Sequence, residues 1–142
     1  MSDSANENCL FCNIVAGNIP STKVYEDDET YAFMDIAPAS EGHVVVVPKT
    51  HTKDVLEADP AVYAATAKSA QTVAKRAVEV LSADGVNVLN NCGSTAWQTV
   101  FHLHFHVIPR YTDKSKDSLT LPWIPEPGDL DAIKAVGEKL AF

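Results

Sequence analysis

The hydrophobic pattern of the chain changes period several times, and each change marks an element. Residues 10–16 read as a short helix that Gly17 and then Pro20 close. Val24–Tyr25 and Tyr31–Asp35 read as two strands with the acidic turn Glu26–Glu29 between them, and Pro38–Gly42 as a loop. His43–Pro48 holds the run Val44–Val47, too short for a helix and apolar on both faces, which predicts a central strand covered on both sides. Asp59 and Pro60 pair an N-cap with a proline at the first helical position. From there Val62, Thr66, Val73, Ala77, Val80 and Leu81 form a helical stripe that Asp84 and Gly85 stop. Val86–Asn90 reads as a strand, 91–98 as a polar loop, and Val100–Ile108 as another strand. Pro122, Pro125 and Pro127 make 121–128 extended, with Trp123 as an anchor, before a last helix over 129–140. The sum is α+β: a mainly antiparallel sheet of about five strands, one long helix and short terminal helices. Without repeats or a dividing linker, 9–142 reads as one domain behind a tail over 1–8.

The last strand carries the chemistry. His102, His104 and His106 alternate with Leu103, Phe105 and Val107. Alternate side chains on a strand share a face about 6.6 Å apart, so three imidazoles point one way and three apolar residues the other. Imidazole serves nucleophilic, acid–base and metal-ligand roles near neutral pH. Spacing alone leaves two readings open: a nucleophile with its helpers, or a three-histidine metal site that activates water. His43 and His51 are open as well, since a lone histidine near a strand end is often structural.

Composition narrows the ligand. The chain has 142 residues, 46% of them apolar, the size of one domain with a real core. No apolar run is long enough to span a membrane. Met1–Asn8 is polar and acidic, with no signal segment, and reads as a short disordered tail on a cytoplasmic protein. A net charge of −8 with only two arginines argues against nucleic acid as the main ligand. A small anion stays compatible, because one pocket can be locally positive. Three cysteines form no closed disulfide set. Cys9 and Cys12 make a C-x-x-C pair whose i, i+3 spacing puts both on one side of the first helical turn, while Cys92 stands apart. A thioredoxin-like pair would follow a strand in a βαβ unit. Nothing but the tail precedes this one, which favours metal over redox chemistry.

The residues then combine. His102-Leu103-His104-Phe105-His106-Val107-Ile108 resembles the histidine triad (HIT) signature. Asp35-Ile36, His43, Pro48-Lys49-x-His51, Asn91, Gly93 and Gln98-Thr99 resemble the same family in the expected order, from Cys9 to Arg110. The resemblance, closest to the bacterial zinc-containing type, implies a HIT-like fold and a homodimer in which two sheets join. It implies hydrolysis or transfer of purine nucleotide 5′-phosphate derivatives at the α-phosphate, with a phosphoramidate or a dinucleoside polyphosphate as substrate. His104 inherits the nucleophile's role, forming a nucleotidyl–histidine intermediate. His106, Gln98 and the Thr99 hydroxyl match the phosphate donors, and His43 takes a supporting role behind them. Asn91 matches a contact to the sugar or α-phosphate, and Asp35 the ribose-binding acid. Leu10, Phe11, Phe33 and Ile36 match the apolar sandwich around the base, though Phe11 and Phe33 read equally well as core. Cys9, Cys12, His51 and His102 match a closed, structural Cys₂His₂ zinc set, against the plain reading of two thiols packed as small hydrophobes. The family also leaves open a nucleotide-binding sensor or scaffold with incidental hydrolysis. The chain departs from the pattern at Trp97, where a small residue, most often glycine, is usual. Tryptophan there either narrows the pocket or stacks on the leaving group.

Overall fold

A computed structural model describes residues 7–120 and 124–142. Leu121–Trp123, including the expected anchor, lie outside the described residues, as do residues 1–6 of the expected tail. Helix α1 spans Leu10–Val15, followed by β1 Lys23–Glu26, β2 Thr30–Met34 and β3 Val44–Pro48. The long helix α2 covers Pro60–Leu81, then come β4 Gly85–Leu89, β5 Phe105–Arg110 and α3 Leu130–Leu140. The strands form one antiparallel sheet in the order β1-β2-β3-β5-β4, which bears out the predicted class.

The β-branched run of β3 is buried throughout, and the pleat divides it between two layers. Val44 and Val46 join Ala32, Phe105 and Val107 beneath α2, and Val45 and Val47 join Phe33, Phe11 and Ile14 beneath α1. The buried stripe of α2 is Thr66, Ser69, Ala70, Val73, Ala74 and Ala77, so small residues line its contact with the sheet. Val80, placed in the stripe by periodicity, is more than half exposed and borders a cleft with Leu81 beyond the packed part of the helix. Asp59 caps α2 by accepting the Ala61 N–H at 2.8 Å. The helix ends at Leu81, the last position of the expected stripe, and its C-cap Ser82 takes a left-handed conformation at φ 55° ahead of the stop signal at Asp84 and Gly85. By Asp84 the chain has joined the sheet, its N–H donating to the Arg110 carbonyl at 2.8 Å, and Gly85 opens β4.

The histidine strand is shorter than its alternation predicts. It begins at Phe105, not near Val100, because residues 102–104 bond elsewhere. The Leu103 N–H donates to the Thr52 carbonyl at 2.7 Å, and the His102 ring bonds the Pro48 carbonyl at 2.8 Å. The alternation of faces persists across the boundary: Phe105 and Val107 pack under α2, while Phe11 of α1 touches the rings of His102 and His104. Among the described residues no helix is long and apolar enough to cross a membrane.

Candidate active site and metal centre

Helix α1 lies over the histidine face of the sheet and builds a cavity there. Its Phe11 ring meets Phe33, His102 and His104 edge-on, at 5.5, 5.9 and 5.0 Å between centroids. The cavity, about 260 Å³, is lined by Leu10, Phe11, Phe33, Asp35, Ile36, Thr99, His104 and His106. Ile14, Ile19, Val45 and Val100 add to its apolar wall. Eight residues selected on sequence therefore converge on one pocket, near the lower end of small-ligand cavities. Phe11 and Phe33 are each only 6% exposed, so they serve as both core and pocket wall.

Backbone groups fix which nitrogen of each ring carries its proton. A carbonyl only accepts, so a ring nitrogen bonded to one must be an N–H. His104 Nδ1 lies 2.8 Å from the His102 carbonyl, which makes it the donor and leaves the Nε2 lone pair free. His102 Nε2 lies 2.8 Å from the Pro48 carbonyl, so its lone pair is on Nδ1. Burial holds His104, His106 and His43 below the ordinary imidazole value, and drives His102 down to about 4. Neutral rings are the form that both nucleophilic attack and metal ligation need.

The triad divides into two clusters. His102 Nδ1 faces Cys9 Sγ at 3.3 Å, Cys12 Sγ at 3.5 Å and His51 Nδ1 at 3.2 Å, and Cys12 Sγ lies 3.3 Å from His51 Nδ1. A tetrahedral ion with zinc's bond lengths separates such donors by roughly 3.3–3.6 Å, so the set fits zinc in both chemistry and spacing. The Cys12 N–H also points at Cys9 Sγ, a donor suited to a thiolate. His106 turns instead to His43, whose Nε2 lies 2.9 Å from His106 Nδ1 and 3.5 Å from Asp35 Oδ2.

The loop residues take more varied places. Thr99 borders the cavity. Gln98 is buried, and its amide bonds the Gly93 N–H at 2.8 Å and the carbonyls of Lys53 and Val100 at 2.8 and 3.1 Å. It clamps the 93–98 loop. Asn91 is half-buried and is not among the residues lining the cavity. Its neighbour Asn90, which the sequence did not single out, donates to the His104 carbonyl at 2.8 Å. Trp97 keeps a left-handed backbone at φ 72° and is 72% exposed, outside the cavity lining. The carbonyls of Pro48 and His102 and the N–H of Ala39 also act on the site, and no side-chain pattern could have announced them.

Comparison with known proteins agrees with this picture. The HIT domain family model matches residues 16–113. Adenosine 5′-monophosphoramidase of Saccharomyces cerevisiae is 36% identical over 132 residues, 93% of this chain and 80% of the yeast protein. A crystal structure from Streptococcus mutans UA159 has a TM-score of 0.88 at 37% identity, covering 96% of this chain and 85% of that one. A Zn-bound histidine triad family protein from Mycobacterium smegmatis has a TM-score of 0.74 at 41% identity, covering 82% and 85%. A family match over most of the sheet, joined by relatives that share the fold at such identities, makes this chain a member of the HIT domain family.

Proposed function

We propose that the protein cleaves purine nucleoside 5′-phosphate derivatives at the α-phosphate through a nucleotidyl intermediate on His104. The observation that carries this reading is the Nδ1–H bond from His104 to the His102 carbonyl, which leaves a neutral nucleophilic Nε2 on a ring that borders the cavity. Attack forms a phosphorus–nitrogen bond and breaks the bond to the leaving group, an amine from a phosphoramidate or a nucleotide from a dinucleoside polyphosphate. Water, or another acceptor in a transfer, then breaks the phosphorus–nitrogen bond and releases the nucleotidyl group. His106 and the Thr99 hydroxyl supply hydrogen bonds to the phosphoryl oxygens, whose charge grows in the transition state. Gln98 contributes by holding the 93–98 loop next to Thr99. Asp35 accepts from the ribose, Asn91 contacts the sugar or α-phosphate, and Leu10, Phe11, Phe33 and Ile36 enclose the base. The name of the yeast relative, a monophosphoramidase, favours an amine leaving group.

Cys9, Cys12, His51 and His102 are proposed to hold a structural zinc. When bound, zinc supplies a cross-link between the N-terminal segment, the loop after β3 and the histidine segment. Donor spacing supports this, as does the Zn-bound mycobacterial relative. A homodimer is proposed on the exposed apolar stripe Leu130, Ile133, Val136 and Leu140 of α3 and on the open edge of β4, with Val88 and Leu89 exposed. Light scattering coupled to size exclusion tests it, and a monomer at micromolar concentration refutes it.

The decisive experiment offers a nucleoside phosphoramidate to wild-type protein and to His104→Ala, and quenches the reaction for mass spectrometry. The expected result is an acid-labile nucleotidyl adduct on His104 and turnover that disappears in the variant. Wild-type turnover no faster than His104→Ala, with AMP still bound, would instead make the protein a nucleotide sensor or scaffold.

A further inference from the structure

Asp35, His43 and His106 bring three potential ligand atoms within 4.8 Å of one another, a second such grouping beside the cysteine-containing one. Two uses are open to it: a second metal, or a chain of hydrogen bonds. A single main-chain amide decides between them. The Ala39 nitrogen lies 2.9 Å from His43 Nδ1, and an amide N–H can only donate, so Nδ1 holds the lone pair. The proton of a neutral imidazole must then sit on Nε2. That N–H is 2.9 Å from His106 Nδ1, which accepts it, and the proton of His106 is therefore on its own Nε2. A cation on His43 Nε2 would have to displace the ring's one remaining proton or break the Ala39 bond.

The turn holds the Ala39 amide in place from several sides. The Ser40 hydroxyl donates to the Pro109 carbonyl, the Tyr111 hydroxyl to the Glu41 carbonyl, and the Asp35 N–H to the His43 carbonyl. Asp35 adds a carboxylate oxygen 3.5 Å from His43 Nε2, which favours a proton on that nitrogen. Burial opposes a second proton on either ring.

We propose that His43 is a positioning residue that sets the tautomer of His106, so that His106 presents a fixed Nε2–H donor to the ligand's phosphate, and that this cluster binds no metal. The phosphate half rests on the function proposed above. The tautomer half stands without any substrate.

The test uses the zinc-loaded, full-length protein labelled with ¹⁵N, and reads the protonated nitrogen of each ring from two-bond nitrogen–hydrogen correlations. His43 and His106 are both expected as Nε2–H tautomers at neutral pH. An Nδ1–H on His106 overturns the proposal. His43→Gln keeps an amide donor at the place of Nε2, whereas His43→Glu puts an acceptor there and is expected to move the His106 proton to Nδ1. On a phosphoramidate substrate, kcat of His43→Glu should fall by about 10²-fold, the usual cost of one lost transition-state donor. His43→Gln should retain at least about tenfold more turnover than His43→Glu, with KM moving less than kcat. Equal kcat in the two variants refutes the positioning role even if both fold. Should His43→Glu not fold, the wild-type and His43→Gln spectra still decide. Should the wild-type protein turn over no substrate, the reaction fails while the tautomer assignment is judged on its own. Metal analysis completes the test: one zinc per chain is expected with and without His43→Gln, and a second zinc lost in that variant overturns the relay.

Discussion

A methyl group added at Gly42 probes how the turn beneath His43 is built. Gly42 has φ +88°, and a Cβ there would lie 2.5 Å from Leu81 Cδ1 and 3.3 Å from Pro109 Cγ. Placing an L-residue in the left-handed region costs about 1–2 kcal/mol. Overpacking adds roughly 1 kcal/mol, the low end of its range, because Leu81 is the half-buried last residue of α2 and borders an open cleft. Reduced freedom of the unfolded chain returns about 0.4–1 kcal/mol. Gly42→Ala should therefore destabilise by about 2 kcal/mol. Gly17 provides the control: its φ is +83°, but its Cβ would meet nothing within 4 Å. Gly17→Ala should cost only about 1 kcal/mol, so the difference between the variants isolates the contact with Leu81 and Pro109. Urea unfolding followed by tryptophan fluorescence, at saturating zinc and fixed chain concentration, measures both. Gly42→Ala should also reduce turnover, since the turn carries the Ala39 amide, while Gly17→Ala should not. Equal losses of stability in the two variants, or a smaller loss at Gly42, would refute the contact, and no loss at Gly17 would refute the left-handed cost.

Four further outcomes are expected. Asn90→Ala leaves the His104 carbonyl without its side-chain donor and should cost about 1–2 kcal/mol in urea unfolding. Cys12→Ser should lower zinc content on elemental analysis and speed hydrogen exchange across α1, and unchanged exchange would separate the metal from the fold of that segment. The rings of His104 and His106 must be neutral to act, and burial lowers their values from 6.5, so kcat/KM should persist below that pH and fall only on further acidification; an acid limb at or above 6.5 contradicts the assignment. Trp97→Gly relieves a left-handed tryptophan and should stabilise by about 0.5–1 kcal/mol, while changing kcat/KM between phosphoramidates with large and small amines.

The parts of this molecule that side-chain pattern controls were legible in the sequence. The valines of β3 announced a strand covered on both faces, and the Asp59-Pro60 pair announced the start of α2 to the residue. Eight residues of the pocket wall, from Leu10 to His106, were also marked by the family resemblance through type and order, while Ile14, Ile19, Val45 and Val100 were not. Other features depend on main-chain partners and were hidden. The strand of His102, His104 and His106 starts late because the Pro48 carbonyl bonds a ring rather than a ladder amide. The resemblance marks Gln98 as a ligand donor, but the bonds its amide makes to main-chain groups of Gly93, Lys53 and Val100 could not be read from it. Ser82 caps α2 in a conformation usual for glycine, so the end at Leu81 was legible but the capping residue was not: the pattern points to Asp84 and Gly85. The alanine-rich face of α2 carries too little hydrophobic contrast for periodicity to find its edge at Val80.

The proton positions on His43, His102 and His104 are set by main-chain atoms, not by side chains: the N–H of Ala39, and the carbonyls of Pro48 and His102. An alanine scan is blind to all three, because it edits side chains and leaves those atoms in place. Replacing the amide of residue 39 with an ester by semisynthesis would delete that donor alone and expose its contribution. The same fact limits transplantation: a His-x-His-x-His segment grafted onto another strand would bring three imidazoles but not the peptide groups that tell them apart.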